Sequence, residues 1–251
     1  MKTGIFITVR TGSTRLPQKS LKTILPETKC IEFLIDRVKK SKRCDEIILC
    51  TTERQADNIL CDIAKEKGIK YFRGSEQDKL DRWLGAANKY SIDFFVTADG
   101  DDLLCDPHLL DLGFEQYFRN TSDFIQGTGL VCGSFTYGIS TKALKKVCEI
   151  KDSTDTEMMW VYFTETGLFE IEELENVSEA CYRDDIRMTM DYEDDYQFFK
   201  TILTSFKDPY SLSTEDVVEL LEAEPHIKEI NFYLHEKWKQ NQINKTRLKV
   251  K

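Results

Sequence analysis

The sequence of 251 residues predicts an α/β fold with a mostly parallel central sheet and helices on both faces. Apolar runs of strand length lie at 4–9, 46–51, 69–72 and 92–97. Patterns of helical spacing fill the gaps near 30–42, 55–67 and 76–90. Strands that alternate with helices in this way are typical of parallel sheets, which bind ligands at the carboxyl ends of their strands.

Composition limits the protein class. An apolar content of 41% in a chain of this length suits one core, so we expect a single domain over residues 1–251. The net charge of −9 argues against a nucleic-acid partner. No signal-like segment precedes the first strand and no apolar run has membrane-spanning length, so we expect a cytoplasmic protein that binds no membrane.

The loop after the first strand is basic and rich in hydroxyl groups. It reads V-R-T-G-S-T-R-L-P-Q-K over residues 9–19. A glycine lets a ligand approach the backbone, hydroxyl groups donate hydrogen bonds, and cations offset phosphate charge. The residues suited to a polyanion are Arg10, Gly12, Ser13, Arg15 and Lys19. A solvated basic loop is the alternative for such a motif taken alone.

An acidic loop follows the apolar run at 92–97. Asp99, Asp101, Asp102 and Asp106 lie within eight residues, where hard oxygen ligands suit Mg²⁺ held jointly with substrate phosphates. The alternative is an acidic helix start with Asp106 as the N-cap, which explains Asp106 but leaves the other three carboxylates unexplained.

A third segment ends an apolar alternation at Asp191. A helical pattern follows immediately, at Tyr196, Phe199 and Ile202. The carboxylate could complete a metal site from the far side of the acidic loop, or it could simply cap the helix.

At these places the sequence resembles the cytidylyltransferases that activate acidic sugars, the CMP-ulosonate synthetases, and most closely their spore-coat polysaccharide, SpsF-type branch. The basic loop resembles the family's opening motif, and F-R-G-S-E-Q-D-K-L-D-R over 72–82 resembles a second one. G-D-D-L-L-C-D-P over 100–107 and R-M-T-M-D-Y over 187–192 with Asp195 match two more.

The resemblance implies a Rossmann-like fold of the nucleotide-diphospho-sugar transferase type, Mg²⁺ as cofactor and CTP as substrate. Arg10, Gly12, Ser13, Arg15 and Lys19 would hold the phosphates. Arg73 and Ser75 would lie beside the base. Asp99 would belong to the nucleotide site, either as a third metal ligand or as a group that contacts the metal ligands. Asp101 and Asp191 would bind the metal, so the predicted catalytic set is Lys19, Arg10, Asp101 and Asp191.

The acceptor half departs from the family pattern. Where relatives carry two acids, this chain has Phe135 and Tyr137, and Gln18 replaces a usual glycine. We therefore expect an acidic sugar or a smaller anionic alcohol as acceptor, with Tyr137 in its pocket and Arg187 as partner of its anionic group.

Three expectations concern chain organisation. Residues 122–180 would form the acceptor and dimerisation region. Residues 237–251 would form a basic tail with six Lys or Arg and no acid, either a frayed helix end or a solvated segment. A homodimer is expected because the resembled family is dimeric, with the apolar stretch 158–163 contributing, although that stretch could equally be core.

Two other functions stay open. Asp99-Gly100-Asp101 is formally the D-x-D motif with which glycosyltransferases hold a nucleotide sugar through a metal. A non-catalytic nucleotide-binding or scaffold protein is the second alternative, and the presence of Lys19, Asp101 and Asp191 argues against it.

Overall fold

The computed structural model describes residues 1–251, and a seven-stranded sheet forms its centre. In chain order the strands of this sheet are β1 (Thr3–Thr8), β4 (Glu46–Thr52), β5 (Lys70–Gly74), β6 (Phe94–Asp99), β7 (Phe124–Gln126), β8 (Tyr137–Ser140) and β9 (Ile171–Glu173). A separate hairpin joins β2 (Thr23–Leu25) and β3 (Thr28–Lys29), which the sequence pattern did not predict.

The strands lie in the order β5-β4-β1-β6-β8-β7-β9. β1 pairs in parallel with β4 and β6, and β4 pairs in parallel with β5. β8 alone runs antiparallel to its neighbours, β6 and β7. The predicted fold class, a mostly parallel sheet, is confirmed.

Ten helices surround the sheet. They are α1 (Cys30–Val38), α2 (Asn58–Glu66), α3 (Lys79–Tyr90), α4 (Pro107–Asn120), α5 (Thr141–Ile150), α6 (Val161–Thr164), α7 (Glu193–Ser205), α8 (Thr214–Ala223), α9 (Pro225–Phe232) and α10 (His235–Lys245). None of them combines the length and the apolar composition that crossing a membrane requires.

Alternate side chains of each central strand enter different cores, because successive residues of a strand point to opposite faces. Ile5 and Ile7 of β1 join the larger core with α1, α2, α4, α7 and α8. Phe6 joins the smaller core with α3, α5 and α6. Both faces are therefore covered, as parallel sheets require.

The apolar stretch 158–163 does not form a free patch. Met159, Tyr162 and Phe163 are 0–1% exposed within the smaller core, and Phe163 stacks on Phe124 of β7. The expectation of an unburied apolar patch here is therefore wrong, since most of these side chains pack inside the same chain and Met158 and Trp160 are half-buried. The homodimer stays a prediction without a surface assigned to it.

The C-terminal residues form a helix end, one of the two expected structures, and they are not a solvated tail. Helix α10 includes residues 237–245, and the segment after it packs back on the domain. The backbone of Asp152 donates to Lys249 at 2.8 Å, and that of Lys251 donates to Ile150 at 2.9 Å. Leu248 lies between these contacts and packs against the smaller core.

Candidate active site

One large cleft, of about 720 Å³, opens at the carboxyl ends of β1 and β6. Seven stretches of the chain contribute residues to its walls. They lie within 8–20, 76–82, 99–102, 126–137, 157–160, 189–191 and 238–245. The basic loop, the acidic loop and Asp191 therefore share one cavity, as the sequence predicted.

The register of β1 and β6 places the first two loops side by side. Thr8 and Asp99 are paired as the last residues of the two strands. The backbone N–H of Gly100 then donates to the Thr8 carbonyl at 2.8 Å. A Cβ on Gly100 would lie 2.7 Å from the Cβ of Val9, so this close approach requires a glycine.

Lys19 contacts both carboxylates of the site. Its ammonium group donates to Asp101 Oδ2 at 2.7 Å, to Asp191 Oδ1 at 2.9 Å and to the Met190 carbonyl at 2.7 Å. Arg15 Nη2 lies 2.7 Å from the same Asp191 oxygen. The basic loop therefore holds the ends of two distant segments together through charge-assisted hydrogen bonds.

Burial and neighbouring charge act differently on the acids. Burial raises the pKa of Asp191, but Lys19 and Arg15 outweigh it and lower the value to about 2. Burial also raises the pKa of Asp101, where Lys19 only partly offsets the nearby carboxylates. The pKa of Asp102 lies well above its ordinary value because of burial and of Asp101 and Asp99. Negative charge around Asp101 is thus incompletely compensated.

This donor set fits a divalent cation shared with a substrate. Asp101 and Asp191 each keep one carboxylate oxygen that accepts no hydrogen bond in the structure, while Lys19 holds the other. No group of three or more Asp, Glu, His or Cys residues forms a closed metal site. Mg²⁺ commonly takes one or two carboxylates and completes its shell with water and phosphate oxygens.

Asp99 has a different environment from Asp101. Both of its oxygens accept hydrogen bonds from Lys79, at 2.9 and 3.2 Å. Lys79 also lies over the Trp83 ring, 4.8 Å from its centroid. The two acids of the D-x-D sequence therefore have separate cationic partners. Lys79 belongs to the 72–82 motif, but its sequence position alone did not assign it to the site.

Arg10, Gly12 and Ser13 line the cleft. Arg10 pairs with Glu157 at 2.9 Å and also donates to the Glu76 carbonyl at 3.2 Å. The backbone N–H of Thr11 donates to the buried Asp57 at 2.8 Å, which fixes the start of the loop. The loop is therefore held in place before any ligand binds.

Two residues expected beside the base lie outside the cleft wall. Arg73 turns to the backbone and donates to the carbonyls of Thr52 and Arg54, at 3.0 and 2.9 Å. Ser75 accepts from the backbone N–H of Asp78 at 3.1 Å. They order the chain between β5 and α3, so the structure does not support direct contact with a nucleotide base.

Arg187 corrects the acceptor expectation. Its side chain is 0% exposed and pairs with the equally buried Asp195. It also donates to the Asn231 carbonyl at 3.3 Å, and the Asn231 amide donates to both Arg187 and Asp195 at 3.0 Å. A guanidinium enclosed in this way cannot meet an acceptor in the cleft. Tyr137, in contrast, lines the cleft as expected.

Helix α10 forms a wall that the sequence did not assign to the site. Its cleft-facing residues are Trp238, Lys239, Gln242, Ile243 and Lys245. Positions 238, 242 and 245 recur at helical spacing, which is the one signal that could have found this face.

A cationic, glycine-containing loop follows the first strand of the parallel sheet and faces two carboxylates at the ends of neighbouring segments. This arrangement is typical of a nucleotide-dependent transferase. The cytidylyltransferase family model matches residues 5–241. The chain belongs to the cytidylyltransferase family, and it is therefore a nucleotidyltransferase. The resemblance inferred from the motifs is confirmed.

Individual relatives cover nearly the whole chain. It is 33% identical to an uncharacterised protein of Methanocaldococcus jannaschii, over 94% of this chain and 97% of that one. It is 26% identical to the spore coat polysaccharide biosynthesis protein SpsF of Bacillus subtilis, over 87% and 93%. The structure of a cytidylyltransferase from Leptospira borgpetersenii superposes with a TM-score of 0.83 at 29% identity, covering 90% of this chain and 96% of that one.

Proposed function

We propose that this protein transfers CMP from CTP to a hydroxyl group of an acidic sugar or another anionic alcohol, with Mg²⁺ held by Asp101 and Asp191, and releases pyrophosphate. The observation that carries the proposal is the contact of Lys19 with both carboxylates beside the basic loop. Cationic, acidic and hydroxyl groups meet there at the strand ends, where a triphosphate fits.

The chain's residues would act mainly by position and charge. In the reaction an acceptor oxygen bonds to the α-phosphorus while the bond to the pyrophosphate oxygen breaks. Arg10, Arg15 and Lys19 offset the charge that builds up on the departing pyrophosphate. Bound Mg²⁺ would supply further charge neutralisation between Asp101, Asp191 and the phosphates.

Several cations already stand in position through ion pairs with acids of the cleft. Arg10 pairs with Glu157, Arg15 with Asp191, and Lys19 with both Asp101 and Asp191. When a nucleotide binds together with its metal, its phosphates can replace these carboxylates as partners of the cations without a rearrangement of the backbone. Such preorganisation favours charge stabilisation in the transition state.

The choice of CTP is supported by membership of the cytidylyltransferase family and not by Arg73 and Ser75, which do not line the cleft. A sugar-like acceptor is supported by the likeness to SpsF, whose name places it in polysaccharide biosynthesis.

The wall expected to face the acceptor carries few charges. Gln126, Thr128, Phe135 and Tyr137 line it with amide, hydroxyl and aromatic groups. These four side chains are themselves uncharged, and the Glu173 carboxylate beside them accepts hydrogen bonds from Gln126 and Thr128 at 2.7–2.9 Å. An anionic acceptor therefore meets no like charge from the side chains that line this wall, which is why we favour an acid over a neutral sugar.

The test is a pyrophosphate-release screen with CTP, Mg²⁺ and a panel of ulosonic acids, phosphosugars and smaller anionic alcohols. Asp101→Asn and Asp191→Asn should each lower turnover by at least about 100-fold, because each removes a charged group from the phosphate and metal site. Asp62→Asn, on the exposed face of α2, is the matched control and should turn over like the wild type.

Near-normal turnover by either active-site variant at low Mg²⁺ would contradict the proposed role of that carboxylate. Release of a nucleoside diphosphate from a sugar nucleotide, with no reaction of CTP, would instead favour the D-x-D glycosyltransferase alternative.

A further inference from the structure

Helix α10 is fixed at both ends across the cleft. Just before its start, the buried Asn231 of α9 donates amide hydrogen bonds of 3.0 Å to the Arg187 carbonyl and to Asp195. Beyond its end, the backbone of Lys251 donates to the Ile150 carbonyl at 2.9 Å. The helix therefore has a defined position over the site.

Contacts along α10 show that it lies across the basic loop. Near its middle, the Asn241 amide donates at 3.0 Å to the hydroxyl of Tyr192, whose ring lies 5.5 Å from the Arg15 guanidinium. At its end, Lys245 lies 4.0 Å from Glu157, which also pairs with Arg10 at 2.9 Å. The helix thus spans the distance from Arg15 to Arg10.

The lysines of α10 change the sign of the net charge of the cleft-lining residues. Without α10, five Lys or Arg and six Asp or Glu residues line the cavity. Helix α10 adds Lys239 and Lys245 and no acid. A triphosphate brings several negative charges into this space, so the two lysines supply cations that the rest of the wall lacks.

The two lysines are also available for a ligand. Lys239 is exposed and has no acidic partner within 4.0 Å in the structure. Lys245 shares the Glu157 carboxylate with Arg10, each contacting a different oxygen. An anionic group held between a cation of the basic loop and a cation of α10 is the contact that a phosphate group would also make.

We propose that Lys239 and Lys245 of α10 bind the triphosphate of CTP and the pyrophosphate that leaves it, so that α10 forms the second cationic wall of the nucleotide site. This inference rests on the proposed function, since it takes CTP as the nucleotide. It assigns a role to a segment whose sequence resembles a solvated tail.

The test is calorimetric titration of the whole chain with Mg²⁺-CTP, with pyrophosphate and with CMP as separate probes. The double variant Lys239→Gln/Lys245→Gln should bind CTP and pyrophosphate about tenfold more weakly, since each partly exposed lysine contributes a modest charge-assisted contact. CMP affinity should change less than about twofold because CMP lacks the two outer phosphates.

Lys237→Gln is the matched control. Lys237 lies on the same helix but outside the cleft wall, 5.2 Å from the Tyr192 ring. It should leave the affinity for all three probes unchanged, while thermal melting verifies that each variant folds like the wild type.

Wild-type affinity of the double variant for CTP and pyrophosphate would overturn the inference and leave the proposed function intact. An equal loss in Lys237→Gln would also overturn it, because the effect would then come from the general field of the tail. Failure of the wild type itself to bind CTP would instead overturn the proposed function.

Discussion

Replacing Lys19 by Met should weaken both the fold and the chemistry. The change removes one ammonium group and keeps a similar side-chain length. It leaves Asp101 and Asp191 facing each other, with Asp191 only 5% exposed and retaining Arg15 as its one cationic partner. Two carboxylates without the lysine between them are unfavourable in a partly buried site.

The lowered pKa of Asp191 sets the size of the effect. A fall from 3.8 to about 2 corresponds to about 2.5 kcal/mol of stabilisation at neutral pH, which Lys19 shares with Arg15. We therefore expect Lys19→Met to lower the free energy of unfolding by about 1–2.5 kcal/mol, or its melting temperature by roughly 2–10 °C.

The assay is urea unfolding at pH 7 with EDTA, repeated with saturating Mg²⁺. Magnesium should stabilise Lys19→Met more than the wild type, because both carboxylates are then free to bind it. Turnover with CTP should fall by at least about 100-fold through loss of a phosphate contact. Lys65→Met, which removes an exposed lysine of α2, is the control and should change stability by less than about 1 kcal/mol.

An unfolding energy within about 0.5 kcal/mol of the wild type, with no added response to Mg²⁺, would refute the reasoning. It would show that the contacts of Lys19 with Asp101 and Asp191 contribute nothing, and that the two carboxylates do not form one site.

Three further predictions test particular residues. Arg187→Met should lower the free energy of unfolding by about 3–5 kcal/mol, because it leaves the buried Asp195 without its cation; a small loss in chemical denaturation would contradict this. Gln18→Gly should raise stability by up to about 1 kcal/mol, since Gln18 has φ 53°, a conformation that glycine adopts freely; a clear loss in the same assay would show that the side chain matters more. CTP should raise the melting temperature more than UTP or ATP in the presence of Mg²⁺, and equal shifts would remove the basis for a cytosine-specific site.

Much of this architecture follows from local sequence. The apolar runs predicted the strands of the parallel sheet to within a few residues, because β1, β4 and β6 are short, continuous and largely buried on both faces. The proximity of the basic loop to Asp101 and Asp191 also follows from the sequence. Each of them was predicted to follow a strand, and the carboxyl ends of parallel strands lie on the same side of the sheet.

Contacts between distant segments could not be inferred in the same way. Arg187 and Arg73 have the charge expected of ligand-binding residues, but nothing in their local sequence shows that Asp195 or backbone carbonyls take up that charge. Helix α10 has weak apolar periodicity. Its position over the cleft depends on the buried Asn231 just before it, whose partner Arg187 lies 44 positions away in the chain.

The prediction of an unburied apolar patch at 158–163 was wrong for a related reason. A dense apolar run is equally compatible with a core and an interface, and only the packing of α6 against β7 and α5 decides between them. Because this buried stretch follows Glu157 directly, it also fixes the position from which Glu157 pairs with Arg10.

The most direct test of the central claim is phosphorus NMR of the wild type with CTP, Mg²⁺ and the best acceptor from the panel. We predict that the α-phosphorus signal of CTP is replaced by that of a CMP ester of the acceptor and that one pyrophosphate appears for each ester formed. Appearance of inorganic phosphate and CDP, or transfer from UTP in preference to CTP, would contradict it.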